Sequence, residues 1–168
     1  ALKAGVEDFV IVTGYQAERV RAYVDGLADL SDRVTWVHNP DYHNPNGGSV
    51  LAARKAVTGD FVLLMCDHLF APEALSRLLR TPRGQDESLL GVDRNLSGIF
   101  DMDDATKVRL DGDRIADIGK TIEGFDAVDT GLFVCSPVLF DALEACARSG
   151  AGPSLSDGVR RLSREGRM

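Results

Sequence analysis

An acid and an imidazole stand side by side at Asp67 and His68, directly after the apolar run Phe61-Val62-Leu63-Leu64-Met65-Cys66. A run this short and unbroken, introduced by Gly59, reads as a strand covered on both faces, the kind that parallel sheets use. In such sheets ligands gather beyond the carboxyl ends of the strands, where loops open into a crevice. Asp67 at that edge would be held by a rigid element while facing the crevice. A carboxylate so placed suits a divalent metal that a phosphate-bearing substrate also touches. Two plainer roles compete: Asp67 could cap the helix near Pro72, or simply end the strand.

Two other places carry residues that could do chemistry. The paired glycines of Asn46-Gly47-Gly48-Ser49 let backbone amides approach a ligand closely, and the following helix aims its N-terminus at the crevice. A flexible turn followed by a Ser49 cap explains the same residues. Asp129 lies in an apolar strand before Thr130-Gly131, where an acid is expensive to bury without a partner. A structural hydrogen bond to nearby loop amides would supply one.

The elements that must position these residues alternate. Strands are predicted over Phe9–Thr13, Val34–His38, Phe61–Met65, Leu89–Val92 and Ala127–Cys135, from apolar runs bounded by Gly and polar residues. Helices are predicted over Gln16–Leu27, Ser49–Val57, Pro72–Leu79 and Pro137–Ala147, with another starting near Ser154 or Ser156. Leu2–Ala4 reads as the last turn of a helix closed by Gly5. Lys107–Leu110 and Arg114–Ile118 flank Asp111-Gly112-Asp113, a hairpin signal. Repeated βα units imply a parallel sheet with right-handed crossovers. The expectation is an α/β fold: a Rossmann-like, mostly parallel sheet flanked by helices, with a β-hairpin excursion, in one domain over residues 1–168.

Composition narrows the partners. The 168 residues suffice for one domain with a real core, and the 44% hydrophobic and 27% charged content is that of a soluble globular chain. A net charge of −7 and a pI near 4.9 argue against a general nucleic-acid or anionic-membrane surface. No apolar segment approaches transmembrane length, and Ala1-Leu2-Lys3-Ala4-Gly5 is no signal peptide. Cys66, Cys135 and Cys146 show no zinc or disulfide spacing and read as buried, reduced thiols of a cytoplasmic protein. No G-x-G-x-x-G follows the strand at Phe9, and no G-x-S-x-G elbow is present, which disfavours a dinucleotide oxidoreductase and a serine hydrolase.

In order along the chain come Val12-Thr13-Gly14-Tyr15, Asn39-Pro40 through Asn46-Gly47-Gly48-Ser49, Met65-Cys66-Asp67-His68, Ile118-Gly119-Lys120 and Val128-Asp129-Thr130-Gly131. This ordered set resembles the nucleotidyltransferase superfamily that activates sugar and alcohol phosphates. Within it the chain is most similar to the CTP:inositol-1-phosphate cytidylyltransferase domain of di-myo-inositol-phosphate-phosphate synthases. The densest match runs from Asp103-Asp104-Ala105-Thr106-Lys107 to Phe125-Asp126-Ala127-Val128-Asp129-Thr130-Gly131.

The resemblance implies a fold of the nucleotide-diphospho-sugar transferase type and a nucleotidyl transfer from CTP to inositol 1-phosphate, with release of pyrophosphate. It implies Asp67 as the Mg²⁺ ligand, with His68 at most supporting it. Lys120 becomes the catalytic contact to the acceptor phosphate, a task suited to a compact ammonium, although an ordinary solvated lysine would look the same. Asp129 and Thr130 would bind the acceptor, with Asp129 on its hydroxyls or assisting the metal. Asn46, Gly47, Gly48 and Ser49 would line the base and ribose. The partners implied are a nucleoside triphosphate and a small phosphorylated alcohol or sugar, with a fused membrane domain possible in the parent protein.

One departure stands out. The family opens with a strand and a G-x-G-T-R type loop followed by a Lys, and closes on a strand with a W-x-D-like acid; this chain has neither, and reads as an internal, truncated piece. A non-catalytic domain of the same fold, or a choline-phosphate or sugar-1-phosphate nucleotidyltransferase, are the alternatives.

Overall fold

The computed structural model describes residues 1–148 and 152–168. The apolar runs become β1 (Phe9–Thr13), β2 (Val34–His38), β3 (Phe61–Leu64), β4 (Leu89–Asp93) and β7 (Ala127–Cys135). β5 (Lys107–Asp111) and β6 (Arg114–Gly119) form the hairpin, turning on Gly112 at a φ of +62°, which glycine adopts without strain. The helices are α1 (Ala17–Asp25), α2 (Gly47–Ala52), α3 (Pro72–Arg80), α4 (Val138–Ala147) and α5 (Leu155–Arg164). Leu2–Ala4 is a single 3₁₀ turn, closed by Gly5 in the left-handed conformation as expected. α2 starts two residues before the expected Ser49, with Asn46 at its N-cap position, and relaxes into a 3₁₀ turn over Ala53–Lys55.

The α/β class and the hairpin excursion are as expected, but the sheet is mixed rather than mostly parallel. β1 and β2 pair in parallel, Phe9 beside Val34 through Thr13 beside His38. Every pairing in the second sheet is antiparallel: β7 with β3, β4 and β5, and β5 with β6. Parallel neighbours need a crossover of about a dozen residues or more. Among the described residues no α-helix stands between β4 and β7; β5 and β6 reverse direction as a hairpin, while β4 and β5 both run opposite to β7.

β7 is the central strand. Phe133 pairs with both Leu63 and Leu90, and Val128 with both Asp93 and Lys107, so β4 runs along one edge while β3 and β5 share the other. On the shared edge β5 ends at Val128 and β3 begins at Leu132. Asp129-Thr130-Gly131 lies in the notch between them. On the β4 edge the irregularity is offset by one residue: Thr130, Gly131 and Leu132 stand opposite Gly91 alone, the register slipping between Leu90 and Val92.

The core fills the space between this sheet and α4 and α5. Phe133, Val108, Ile118, Leu139, Leu143, Val159 and Leu162 are all shut off from solvent there, and the Phe61 and Phe140 rings stack at 5.0 Å. Cys135 is buried in it, and burial pushes its thiol far up. Cys66, expected to be buried, is exposed instead. β3 stops at Leu64 and the chain turns before Cys66, so the apolar run outlasts the strand.

Candidate active site

The notch in β7 gathers the site. From one side the chain leaves β3: Met65 donates its N–H to Gly131 O at 3.0 Å, and the turn that follows presents Asp67 and His68. From the other side the loop 101–106 enters β5, and Asp129 N–H donates to Thr106 O at 2.9 Å. Two loops therefore meet at Asp129–Gly131, each pinned to it through the backbone.

Asp67 does not cap α3, whose N-cap residue is Ala71. Its carboxylate is exposed at the mouth of the notch, with Oδ1 2.8 Å from His68 Nδ1. That contact holds the carboxyl below the usual range, with burial opposing it, so Asp67 stays ionised. The His68 ring packs on Gly131, where an added Cβ would lie 2.8 Å from its Cγ. His68 thus bridges the Asp67 carboxylate and Gly131 of β7.

Asp129 Oδ1 accepts from Gly131 N–H at 2.7 Å, the loop-amide bond that competed with a ligand role. Burial pushes its carboxyl up, while the Gly131 amide and His68 pull it part of the way back. Thr130 turns the other way: its hydroxyl donates to Gly91 O in β4 at 2.6 Å, on the opposite edge of β7.

Lys120 follows the end of β6 and pairs with Asp104 on the loop 101–106. Lys120 holds the Asp104 carboxyl below its usual range, Lys107 adds to this, and Asp67 opposes it. Asp67, His68, Asp129, Asp104 and Lys120 therefore share one electrostatic neighbourhood. Sequence reasoning assigned no role to Asp104; its only signal was its place in the Asp103–Lys107 stretch. On the neighbouring loops the Asp93 and Asp101 carboxylates accept from the Asn95 and Asp104 amides.

The Asn46–Ser49 segment forms a second cluster, largely spent on the fold. Asn46 Oδ1 accepts from Leu155 N–H at 2.8 Å, reaching the first turn of α5. A Cβ at Gly47 would come within 2.4 Å of Pro153 O, so this glycine is needed for close packing. Ser49 Oγ accepts from Asn39 Nδ2 at 3.0 Å rather than capping a helix. Gly48 alone has open space beside its Cα. α5 joins the two clusters. Its start, closed by a Ser154–Asp157 capping box, holds Asn46, and its Arg160 donates to Ile118 O just before Lys120.

The chain is similar to known proteins over most of its length. The bifunctional IPC transferase and DIPP synthase of Rubrobacter xylanophilus is 38% identical over 149 residues, 89% of this chain and 32% of that protein. Its counterpart from Archaeoglobus fulgidus is 32% identical over 85% of this chain and 27% of that protein. The chain thus spans about a third of the length of these relatives. Among solved structures, the inositol-1-phosphate CTP transferase from T. maritima superposes with a TM-score of 0.85 at 26% identity, covering 99% of this chain and 66% of that one. A UDP-glucose pyrophosphorylase complexed with UDP-glucose shares the fold, with a TM-score of 0.76 at 15% identity over 99% of this chain and 73% of that one. Residues 1–164 match the MobA-like NTP transferase domain. On the strength of that match across nearly its whole length, the chain belongs to the MobA-like NTP transferase domain family.

Proposed function

We propose that the protein carrying this chain transfers a cytidylyl group from CTP to inositol 1-phosphate and releases pyrophosphate. The reading is supported by Asp67 and Asp129 flanking one notch, with Lys120 paired to Asp104 on the loop that enters it, in a chain 38% identical to a bifunctional IPC transferase and DIPP synthase. In the reaction a phosphate oxygen of the acceptor attacks the α-phosphorus of CTP. A new P–O bond forms, the bond to the β-phosphate oxygen breaks, and its electron pair leaves with pyrophosphate. Such chemistry asks the protein for alignment and charge neutralisation.

Lys120 takes the acceptor phosphate, since an ammonium with three donors can hold Asp104 and a phosphate oxygen together. Asp129, beneath it, takes an acceptor hydroxyl. Gly48 and Ser49 take the nucleoside side, where the backbone is open. Asp67 suits Mg²⁺: it offers an ionised, exposed oxygen donor, and no group of three His, Cys, Asp or Glu able to enclose a metal occurs among the described residues. Mg²⁺ keeps several waters and is satisfied by one or two carboxylates, and when bound it would neutralise phosphate charge. No helix among the described residues is long and apolar enough to cross a membrane. A cytoplasmic site of action, with a membrane domain fused elsewhere in the protein, belongs to the same proposal.

The test uses the intact protein with CTP, inositol 1-phosphate and Mg²⁺, following pyrophosphate. Asp67→Asn is expected to lower turnover about a hundredfold or more, with the melting temperature nearly unchanged. Near-normal turnover at saturating Mg²⁺ would remove Asp67 from the site. Equal rates with choline phosphate or a sugar 1-phosphate would overturn the acceptor.

A further inference from the structure

Lys107 is a buried cation that no step above uses. It is only 9% exposed, at the first position of β5. Its ammonium donates to three backbone carbonyls of the preceding loop: Met102 O at 2.8 Å, Ala105 O at 3.3 Å and Asp103 O at 3.4 Å. The Phe125 ring lies 5.9 Å from the ammonium and covers it. All three donors are spent on one turn of chain, much as a bound ion would be coordinated by it.

That turn carries Asp104. Asp104 N–H donates to Asp101 Oδ1 at 3.2 Å and Ala105 N–H to Asp101 O at 3.1 Å, closing the loop on itself. The loop reaches the floor of the notch through Thr106 O, which accepts from Asp129 N–H. At its tip Asp104 meets Lys120. Both members of this pair are exposed, 76% and 57% of their side chains, and exposed ion pairs are too weak to fix a geometry by themselves. What sets the place of the Asp104 carboxylate is the backbone beneath it, and the group that orders this backbone is Lys107.

We propose that Lys107 is a positioning residue: by holding the carbonyls of Met102, Asp103 and Ala105 it fixes Asp104, which in turn aims the Lys120 ammonium at the acceptor phosphate. The proposal rests on the reading of Lys120 as the acceptor-phosphate contact. Lys107 touches no substrate. It acts by removing the freedom of a loop that an exposed side chain must rely on, the preorganisation that raises affinity without adding a contact.

A double-mutant cycle in the intact protein tests it, with the Michaelis constants for inositol 1-phosphate and for CTP measured separately. Lys107→Met is expected to raise the acceptor KM roughly tenfold and leave the CTP KM within about twofold. Combined with Lys120→Ala, which itself raises the acceptor KM, Lys107→Met should add almost nothing. Asp104→Asn, an exposed change, should show the same loss of additivity. If Lys107→Met costs the same factor with and without Lys120, or raises both KM values together, Lys107 merely supports the fold and the proposal fails while the reading of Lys120 stands. If Lys120→Ala leaves the acceptor KM unchanged, that reading fails and the proposal with it. Should Lys107→Met not fold, Lys107→Gln, which keeps a donor for one carbonyl, takes its place with a smaller effect expected in the same direction.

Discussion

Gly131 has two reasons to be a glycine, one in its own backbone and one in its neighbours. Its φ of +71° lies in the left-handed region, which L side chains enter at a cost of about 1–2 kcal/mol. The second reason is tertiary: a Cβ there would lie 2.8 Å from His68 Cγ and 3.0 Å from Met65 Cβ. Gly131→Ala is expected to destabilise the fold by about 1–3 kcal/mol and to lower turnover further than that loss explains, because His68 would be pushed from Asp67. Thermal melting beside kcat separates the two effects. Turnover that fell only with the folded fraction would show that the His68–Asp67 contact is dispensable. Asp67 itself was readable because the apolar run before it points to a strand end. Thr130 was not, since its partner, Gly91 O, lies on another strand.

Helix α5 shows what an element can hide. Its start was expected near Ser154 or Ser156, and Ser154 is the cap, closed by a capping box with Asp157. Its role was not readable, because both contacts are distant in sequence: Leu155 to Asn46, and Arg160 to β6. Arg160 Nε donates to Asp117 Oδ1 at 2.8 Å, and Nη1 to Asp157 Oδ1 at 3.2 Å. The bond from Arg160 holds the Asp117 carboxyl below its usual range, with burial opposing it. A depressed folded-state pKa contributes stability above the unfolded value of about 3.9, and this is lost as pH falls through the folded one. The melting-temperature advantage of the protein over Asp117→Asn should therefore be constant above about pH 5 and shrink below about pH 4. An advantage that held at low pH would mean that packing, not charge, joins α5 to β6.

At the scale of the molecule, local order was legible and neighbourhood was not. Periodicity places the strands and helices within a residue or two, since burial of one face or both leaves its mark in the sequence, except that α2, expected to run to Val57, ends at Ala52. Pairing does not leave such a mark: nothing in Ala127–Cys135 tells that it runs antiparallel at the centre, and the βα rhythm of the first half suggested otherwise. β1 pairs only with β2 and β3 only with β7 among the described residues, so each keeps an edge of backbone groups with no strand beside it. Edges of this kind are expected to make the 168-residue chain prone to association. Unpaired, apolar edges invite pairing with another copy, and the net charge of −7 is what keeps copies apart. Repulsion of this kind reaches about 30 Å at 0.01 M salt and only about 3 Å at 1 M. Light scattering on the 168-residue chain should find it dispersed at the low value and clustering at the high one, and scattering that ignores salt would mean the edges are shielded. Its shelf life is then a matter of ionic strength as much as of folding.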